Sequence, residues 1–504
     1  MHDRRDLLRA GLLAAGGLAT GLFDPTAADA LRRAVPDRSA WRNLRRALSP
    51  ASRLYFSSTA GYTALALPQN LRYSALRPAG IVSCGSARDV QTAVRWAVRH
   101  GMPLAPRSGG HNYAGYSTTT GLLIDLRRIR AVSPRGDRLA VGGGATNSDV
   151  YRAGTGGTGL YFPGGRCPGV GVAGLTLGGG LGFNDRRWGL TCDRLVETRV
   201  VLSDGTLVRA TERENADLFW ACRGGAGGNF GVNTAFVFDA VRVDRQVSTV
   251  FDLSFSLKRG VEVMDAVREM LQRDERAGRL DVRVGFAHPG EGKASIAVLG
   301  QYLGTDDRLR KVLAPLLALS PTRRFIEQRG FWRAQDRLAL KSGREAMAAK
   351  SLVPTRWPDE EAITAVMERI GRWRPGLPGN SGHVTLFAMG GAVSALAPSE
   401  TAFPHRRAVF VIDIGASWSV KSSVDVVDGL IRQIRAIYDV LARKLRTSAA
   451  YVNFPDPDLP GWHTAYYGAN YDRLAEVKSR YDPSGVFRYG QSIGSPLVAE
   501  DLAS

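Results

Sequence analysis

Residues 107–117 read RSGGHNYAGYS, residues 164–182 read GGRCPGVGVAGLTLGGGLG, and residues 223–231 read RGGAGGNFG. Glycine at this density lets backbone N–H groups approach a ligand closely and turn toward an anion, so paired phosphates are the natural guest. Three separate loops of this kind exceed what tight loop packing alone would call for. The competing reading is a doubly wound nucleotide fold. It requires GxGxxG directly between a strand and a helix, with an acidic residue roughly 20 positions on. The run Gly178-Gly179-Gly180-Leu181-Gly182 lies within a loop region and lacks that register.

Working outward from the first loop, Ile81-Val82-Ser83-Cys84 predicts a short strand. Residues 86–100 carry Val90, Ala93, Val94 and Val98 at helical spacing, with Ser86 as N-cap and Gly101 as the stop. Residues 122–126 predict another strand, and short strands such as 199–202 and 236–241 continue to about Val250. Past that point strand patterns at 282–287, 294–303 and 408–414 alternate with helical ones at 261–272, 361–370 and 424–443. That mixture predicts a second domain, an antiparallel sheet covered by helices on one side. The expected class is α+β, divided at 1–30, 31–50, 51–250, 251–450 and 451–504.

The chain has 504 residues, 44% hydrophobic and 23% charged, enough apolar material for more than one core. Its formal charge of +20 raises nucleic acid as a partner. The cations are 8 Lys and 59 Arg, and clusters such as Arg127-Arg128 and Arg186-Arg187 are scattered. No zinc-finger or basic-zipper pattern accompanies them, so no nucleic-acid partner is expected. The four cysteines, Cys84, Cys167, Cys192 and Cys222, form no CxxC pair and have no His at ligand spacing, so neither a disulfide scaffold nor a metal site is expected.

At the N-terminus Arg4-Arg5 precedes an apolar stretch from Ala10 to Phe23, and Ala28-Asp29-Ala30 supplies small residues for cleavage. The pair resembles a twin-arginine export signal, read by export machinery that carries folded proteins. Removing residues 1–30 leaves the chain basic. No later apolar run reaches transmembrane length, so no membrane span is expected in the mature, exported chain.

The resemblance is most specific in Arg107-Ser108-Gly109-Gly110-His111, Cys167-Pro168-Gly169-Val170-Gly171-Val172, Gly178-Gly179-Gly180, Arg187 and Gly189-Leu190. Phe403-Pro404-His405-Arg406, Tyr451-Val452-Asn453-Phe454, Tyr466-Tyr467-Gly468, Asn470-Tyr471, Tyr481-Asp482-Pro483 and Gln491-Ser492-Ile493 agree with it. Together they resemble the berberine-bridge-enzyme-like flavin oxidases of the vanillyl-alcohol-oxidase fold, over roughly residues 50–495. The resemblance implies a two-part FAD-binding domain, whose last piece returns after residue 450, around a substrate domain.

It also implies FAD joined covalently to His111 at the 8α-methyl and to Cys167 at C6; imidazole nitrogen and thiolate are both competent nucleophiles. The implied cofactor-binding set continues through Arg107, Ser108, Gly109, Gly110, Asn112, Val170, Gly171, Val172, Gly174, Gly178, Gly179, Gly180, Gly182, Gly228, Asn229, Gly231 and Asn453. Tyr451 is the implied catalytic base, with Asn453 and Tyr471 orienting it or the substrate. An ordinary Tyr has a pKa of about 10, so phenolate character is expected from its surroundings. After Gly390-Gly391, where some relatives carry a glutamate, stand Ala392-Val393-Ser394-Ala395-Leu396, so no carboxylate is expected there and alcohol or sugar oxidation fits better than C–C bond formation. Val170, small and three residues after Cys167, implies access for dioxygen and hence hydrogen peroxide as product. The alternatives are a flavin dehydrogenase with another electron acceptor, and a non-enzymatic carbohydrate- or nucleic-acid-binding protein.

Overall fold

The strand expected at 81–84 forms as one member of a small, mostly parallel sheet built from β1 (Arg53–Tyr55), β2 (Gly80–Ser83), β3 (Leu104–Arg107) and β4 (Leu122–Asp125). Its order is β1-β2-β4-β3, with β1 antiparallel at one edge. This computed structural model describes residues 36–340 and 343–494. The expected export segment, residues 1–30, lies outside the described residues. The helix Ala87–Arg99 begins where its N-cap predicts, with the Ser86 side chain accepting from the Asp89 N–H, and ends before Gly101 at φ 58°. An earlier helix, Arg38–Ala47, packs Trp41 on Trp96 at 4.3 Å between ring centroids, so the N-terminal segment is part of this first core.

A second sheet is antiparallel, formed by β5 (Val132–Arg135), β6 (Arg138–Gly142), β8 (Leu195–Val201), β9 (Leu207–Ala210) and β10 (Val232–Asp239) in the order β5-β6-β10-β8-β9. β7 (Leu160–Tyr161) pairs separately with β11 (Val241–Arg242).

The second half builds a seven-stranded antiparallel sheet from β12 (Val247–Ser256), β13 (Leu280–His288), β14 (Ser295–Tyr302), β15 (Arg323–Gly330), β16 (Ala346–Leu352), β17 (Ser381–Ala388) and β18 (Phe410–Trp418). Its order is β15-β12-β14-β13-β17-β18-β16. β12 starts at Val247, so the sheet begins just before residue 251. Period-two alternation gives the sheet two faces. Val282, Val284 and Phe286, with Leu386, Ile412 and Ile414, pack against helices Gly260–Arg273, Glu360–Gly371 and Val424–Leu445. Each such buried side chain contributes roughly 1.5–3 kcal/mol. The intervening residues Arg283, His383, Thr385, Phe387 and Asp413 line a cavity on the other side.

The chain then returns to the first half. Helices Trp462–Tyr467 and Tyr471–Tyr481 join Phe219 and Trp220 in one core. Lys478 Nζ donates to the Asn229 and Phe487 carbonyls at 2.6 and 2.5 Å and pairs with Asp482 at 2.6 Å. That contact ties the C-terminal segment to the third glycine loop.

Arg186 joins the glycine-rich half to the seven-stranded sheet. Its buried guanidinium donates to the carbonyls of Leu280 (3.0 Å), Met389 (2.6 Å) and Leu271 (3.1 Å) and lies 3.1 Å from Glu275. Removing it strands three carbonyls, so Arg186→Met is expected to lower unfolding free energy by about 3 kcal/mol. Urea denaturation checks this as a lower midpoint at constant slope; an unchanged midpoint contradicts the clasp.

Candidate active site

The first two glycine loops meet backbone to backbone. A Cβ on Gly109 would collide with the Gly171 nitrogen and Gly169 oxygen, and one on Gly171 would collide with Ser108 Oγ and the Gly109 nitrogen. Only glycine at both positions allows this approach. The second loop is fixed from behind by Asn147, whose Nδ2 donates to the Cys167 carbonyl at 3.0 Å and whose backbone N–H donates to that of Val170 at 3.0 Å. His111 and Cys167 thereby open onto one cavity of about 1030 Å³.

Burial holds His111 down to a pKa of about 4, so its imidazole is neutral at physiological pH. For Cys167, burial pushes the thiol up, while Arg166 and Arg283 pull it down and Glu345 adds to the rise. Ser108, Gly109, Gly110, Asn112, Val170, Gly171, Gly174, Gly228, Gly231, Tyr451 and Asn453 also line the cavity. An added Cβ on Gly174 meets nothing within 4 Å, and the buried Ser108 hydroxyl has no partner. Both leave room and a free polar group for a ligand.

The other expected site residues stand behind the wall. Arg107 does not line the cavity; its guanidinium ties the loop together through the carbonyls of Ser117 (2.7 Å) and Leu65 (2.7 Å). Val172 is buried in the core at the start of helix Val172–Leu177. Asn229 donates to the Gly225 carbonyl and to Tyr489 Oη at 2.8 and 2.9 Å, a loop brace. Gly178, Gly179, Gly180 and Gly182 are outside the lining as well. Their absent side chains make room for protein: Gly178 for Asn453, Gly179 for Phe403, Gly180 for Thr191 and Gly182 for Gly164. Tyr471, expected to orient the chemistry, instead packs among Trp462, His463 and Tyr467 outside the cavity.

Tyr451 is buried at the cavity wall, and its Oη accepts from the Gly180 N–H at 2.9 Å and from Asn453 Nδ2 at 3.1 Å. Asn453 is itself aimed by donating to the Leu175 carbonyl at 2.9 Å. Burial raises the phenol pKa above its ordinary value, against the pull of the two donors. The expected resting phenolate is therefore corrected: the group is a buried phenol whose oxygen already carries two donors.

The segment after Gly390-Gly391 carries no carboxylate, as its sequence reads, but the cavity has carboxylates from elsewhere. Residues 391–395 form a 3-10 helix packed on Arg186, outside the cavity, whereas Asp413 on β18 and Glu345 line it. The alternation of β18 sends every second residue to this face, and that pattern was the signal for Asp413. Asp413 Oδ2 is 3.4 Å from His383 Nε2, and its Oδ1 is buried without a partner. Burial draws the His383 pKa down, but Asp413 outweighs it and the net direction is up. Tyr113 stacks on Phe454 at 5.3 Å in the same wall.

The FAD binding domain family matches residues 78–211, and the Berberine and berberine like family matches residues 450–494. The chain is 33% identical over 421 residues to the uncharacterized FAD-linked oxidoreductase YgaK of Bacillus subtilis, covering 82% of this chain and 90% of that protein. BBE-like 1 of Physcomitrella patens matches with a TM-score of 0.80 and 27% identity, over 91% of this chain and 99% of that one. The glucooligosaccharide oxidase of Acremonium strictum, described with a 6-S-cysteinyl, 8α-N1-histidyl FAD, shares the fold with a TM-score of 0.80 at 24% identity, over 92% and 100%.

The cavity fits FAD: a floor of glycines for the diphosphate, an unpartnered Ser108 hydroxyl, and an imidazole and a thiol at the same opening. Gly171→Ala must part the two loops. It is expected to yield folded protein with flavin well below one per chain by visible absorbance; full flavin content would contradict the contact's role.

Proposed function

The chain belongs to the berberine-bridge-enzyme-like FAD-linked oxidoreductases, and from that premise we propose that it oxidises an alcohol group of a sugar or natural product, with dioxygen as electron acceptor. The observation that carries this reading is Tyr451, a hydroxyl held by two donors in the wall of the cavity that His111 and Cys167 share. FAD would be held through His111 and Cys167, over the glycine loops. When bound, it supplies the acceptor for a hydride leaving a carbinol carbon and hands the electrons to dioxygen as hydrogen peroxide.

The chain's own residues handle the proton and the pose. Tyr451 Oη takes the substrate hydroxyl proton, and the Gly180 N–H and Asn453 Nδ2 meet its oxygen throughout. Because burial keeps the phenol protonated at rest, Tyr451 accepts a proton as it passes on its own. The proton it passes on leaves to solvent through the cavity, which Asp413 and His383 also line. Tyr113, Phe387 and Phe454 offer apolar faces to the substrate body. The chain is exported through the twin-arginine route already folded around its flavin, a reading supported by Arg4-Arg5 before the apolar stretch.

A peroxide-coupled screen of mono- and oligosaccharides and of glycosylated or polyketide alcohols tests the activity. With a substrate in hand, Tyr451→Phe is expected to slow anaerobic flavin reduction roughly 10²–10⁴-fold at unchanged flavin content. Reduction at the native rate overturns its role. Val170→Leu is expected to slow reoxidation by air while leaving anaerobic reduction intact; two unchanged half-reactions would contradict oxygen access beside Val170.

A further inference from the structure

Tyr451 stands in a stretch that forms neither helix nor strand, between the helices Val424–Leu445 and Trp462–Tyr467. Local chain geometry therefore fixes little of its place, and the neighbours that grip it decide where its hydroxyl sits. The far end of the ring is held by the glycine-rich half, through the Gly180 N–H on Oη at 2.9 Å. The near end is held by the seven-stranded sheet. There the Tyr451 N–H donates to Ser351 Oγ at 2.9 Å, and Ser351 is only 2% exposed.

Ser351 belongs to β16, an edge strand, where it lies directly opposite Asp413 of β18; Asp413 in turn lies opposite Thr385 of β17. Residues directly opposite in an antiparallel pair share a face. Ser351 thus continues the row whose Asp413 and Thr385 line the cavity, and Met347, four positions earlier on its own strand, lines it too. Ser351 itself is outside the lining, its hydroxyl engaged by the Tyr451 N–H. Two more contacts bind the same segment to this strand end. The Val353 N–H donates to the Ala449 carbonyl at 2.8 Å. Lys350, on the opposite face and 5.2 Å from the Tyr438 ring, pairs through Nζ with Asp456 Oδ2 at 2.5 Å, both side chains buried. The segment is gripped on both sides of Tyr451, at 449 and at 456, by one end of one strand.

We propose that Ser351 is a positioning residue for the oxidation: its hydroxyl mounts Tyr451 on the same row of the sheet that faces the substrate, and the Lys350–Asp456 pair secures the segment at the sheet edge. The proton acceptor and the substrate platform then share one frame. This rests on the reading of Tyr451 as the group that takes the substrate hydroxyl proton. Ser351 moves no proton itself, because its partner is a backbone amide. A displacement of Tyr451 by about 1 Å is enough to cost roughly 10²-fold in rate.

The test uses the flavin-loaded full chain. Hydrogen–deuterium exchange is read on the peptide that holds Tyr451, and anaerobic stopped-flow flavin reduction uses D-glucose, cellobiose and benzyl alcohol as probes. In Ser351→Ala the Tyr451 amide is expected to exchange roughly tenfold faster, while peptides around His111 and Cys167 keep their native exchange. Reduction is expected to slow roughly ten- to hundredfold, with the half-saturating probe concentration within about twofold of native. Ser351→Thr, which keeps the acceptor, is expected to restore most of the rate. Ser351→Ala combined with Tyr451→Phe is expected to be no slower than Tyr451→Phe alone, because the serine acts only through the tyrosine; a general loosening of the fold would slow the pair further. Native exchange or native reduction in Ser351→Ala, equal loss in the Ala and Thr variants, or losses that multiply in the double variant overturn the proposal. Should Ser351→Ala load no flavin, Ser351→Cys, close in volume and a weak acceptor, makes the same test. Tyr451→Phe reduced at the native rate, or no reduction by any probe, overturns the reading of the oxidation instead, and the exchange comparison still decides whether Ser351 holds Tyr451.

Discussion

The contact between Gly109 and Gly171 is the constraint on which the site depends. Two loops about sixty positions apart in sequence touch through bare backbone, and a methyl group on either side would sit inside its neighbour. The approach brings His111 and Cys167 to one opening, with Asn147 holding the second loop against the first. A wider gap would leave two separate reactive side chains rather than one site. This is the use of glycine that composition alone cannot distinguish from a loose loop.

A second set of glycines does different work. Gly178, Gly179, Gly180 and Gly182 make room for protein groups, and the Gly180 N–H is spent on Tyr451 Oη. They link the glycine-rich half to the C-terminal segment, as Lys478 does at the third loop through the Asn229 carbonyl. Arg186 links that half to the seven-stranded sheet. The cavity is therefore a meeting of three chain regions, each held by buried polar contacts that lose their value if one partner leaves.

Much of this was legible in the sequence where a local signal exists. Ser86 and Gly101 bounded their helix correctly, and the period-3.6 patterns at 261–272, 361–370 and 424–443 correspond to helices of the sheet's covered side. The motifs identified the family and put His111, Cys167, Tyr451 and Asn453 at one cavity. What is long-range is less legible: a glycine motif does not say whether its space admits a ligand or a neighbouring side chain, and Gly178, Gly179, Gly180 and Gly182 stand outside the cavity lining. Arg107, in the implied cofactor-binding set, is a loop tie outside the lining, and Tyr471, in a matching motif, packs among aromatic rings outside the cavity. Asp413 was not singled out, because the place after Gly390-Gly391 was compared with relatives while the alternation of β18 brings a carboxylate to the cavity from the next strand.

The account's central claim is that the Gly109–Gly171 contact makes one flavin site with two tethers. Acid precipitation of the native protein, followed by proteolysis and mass spectrometry of the flavin-bearing peptides, tests it most directly. The account predicts that the yellow colour stays with the polypeptide and that a single flavin bridges the peptides containing His111 and Cys167. Flavin released freely into the acid supernatant, with both peptides unmodified, would contradict it.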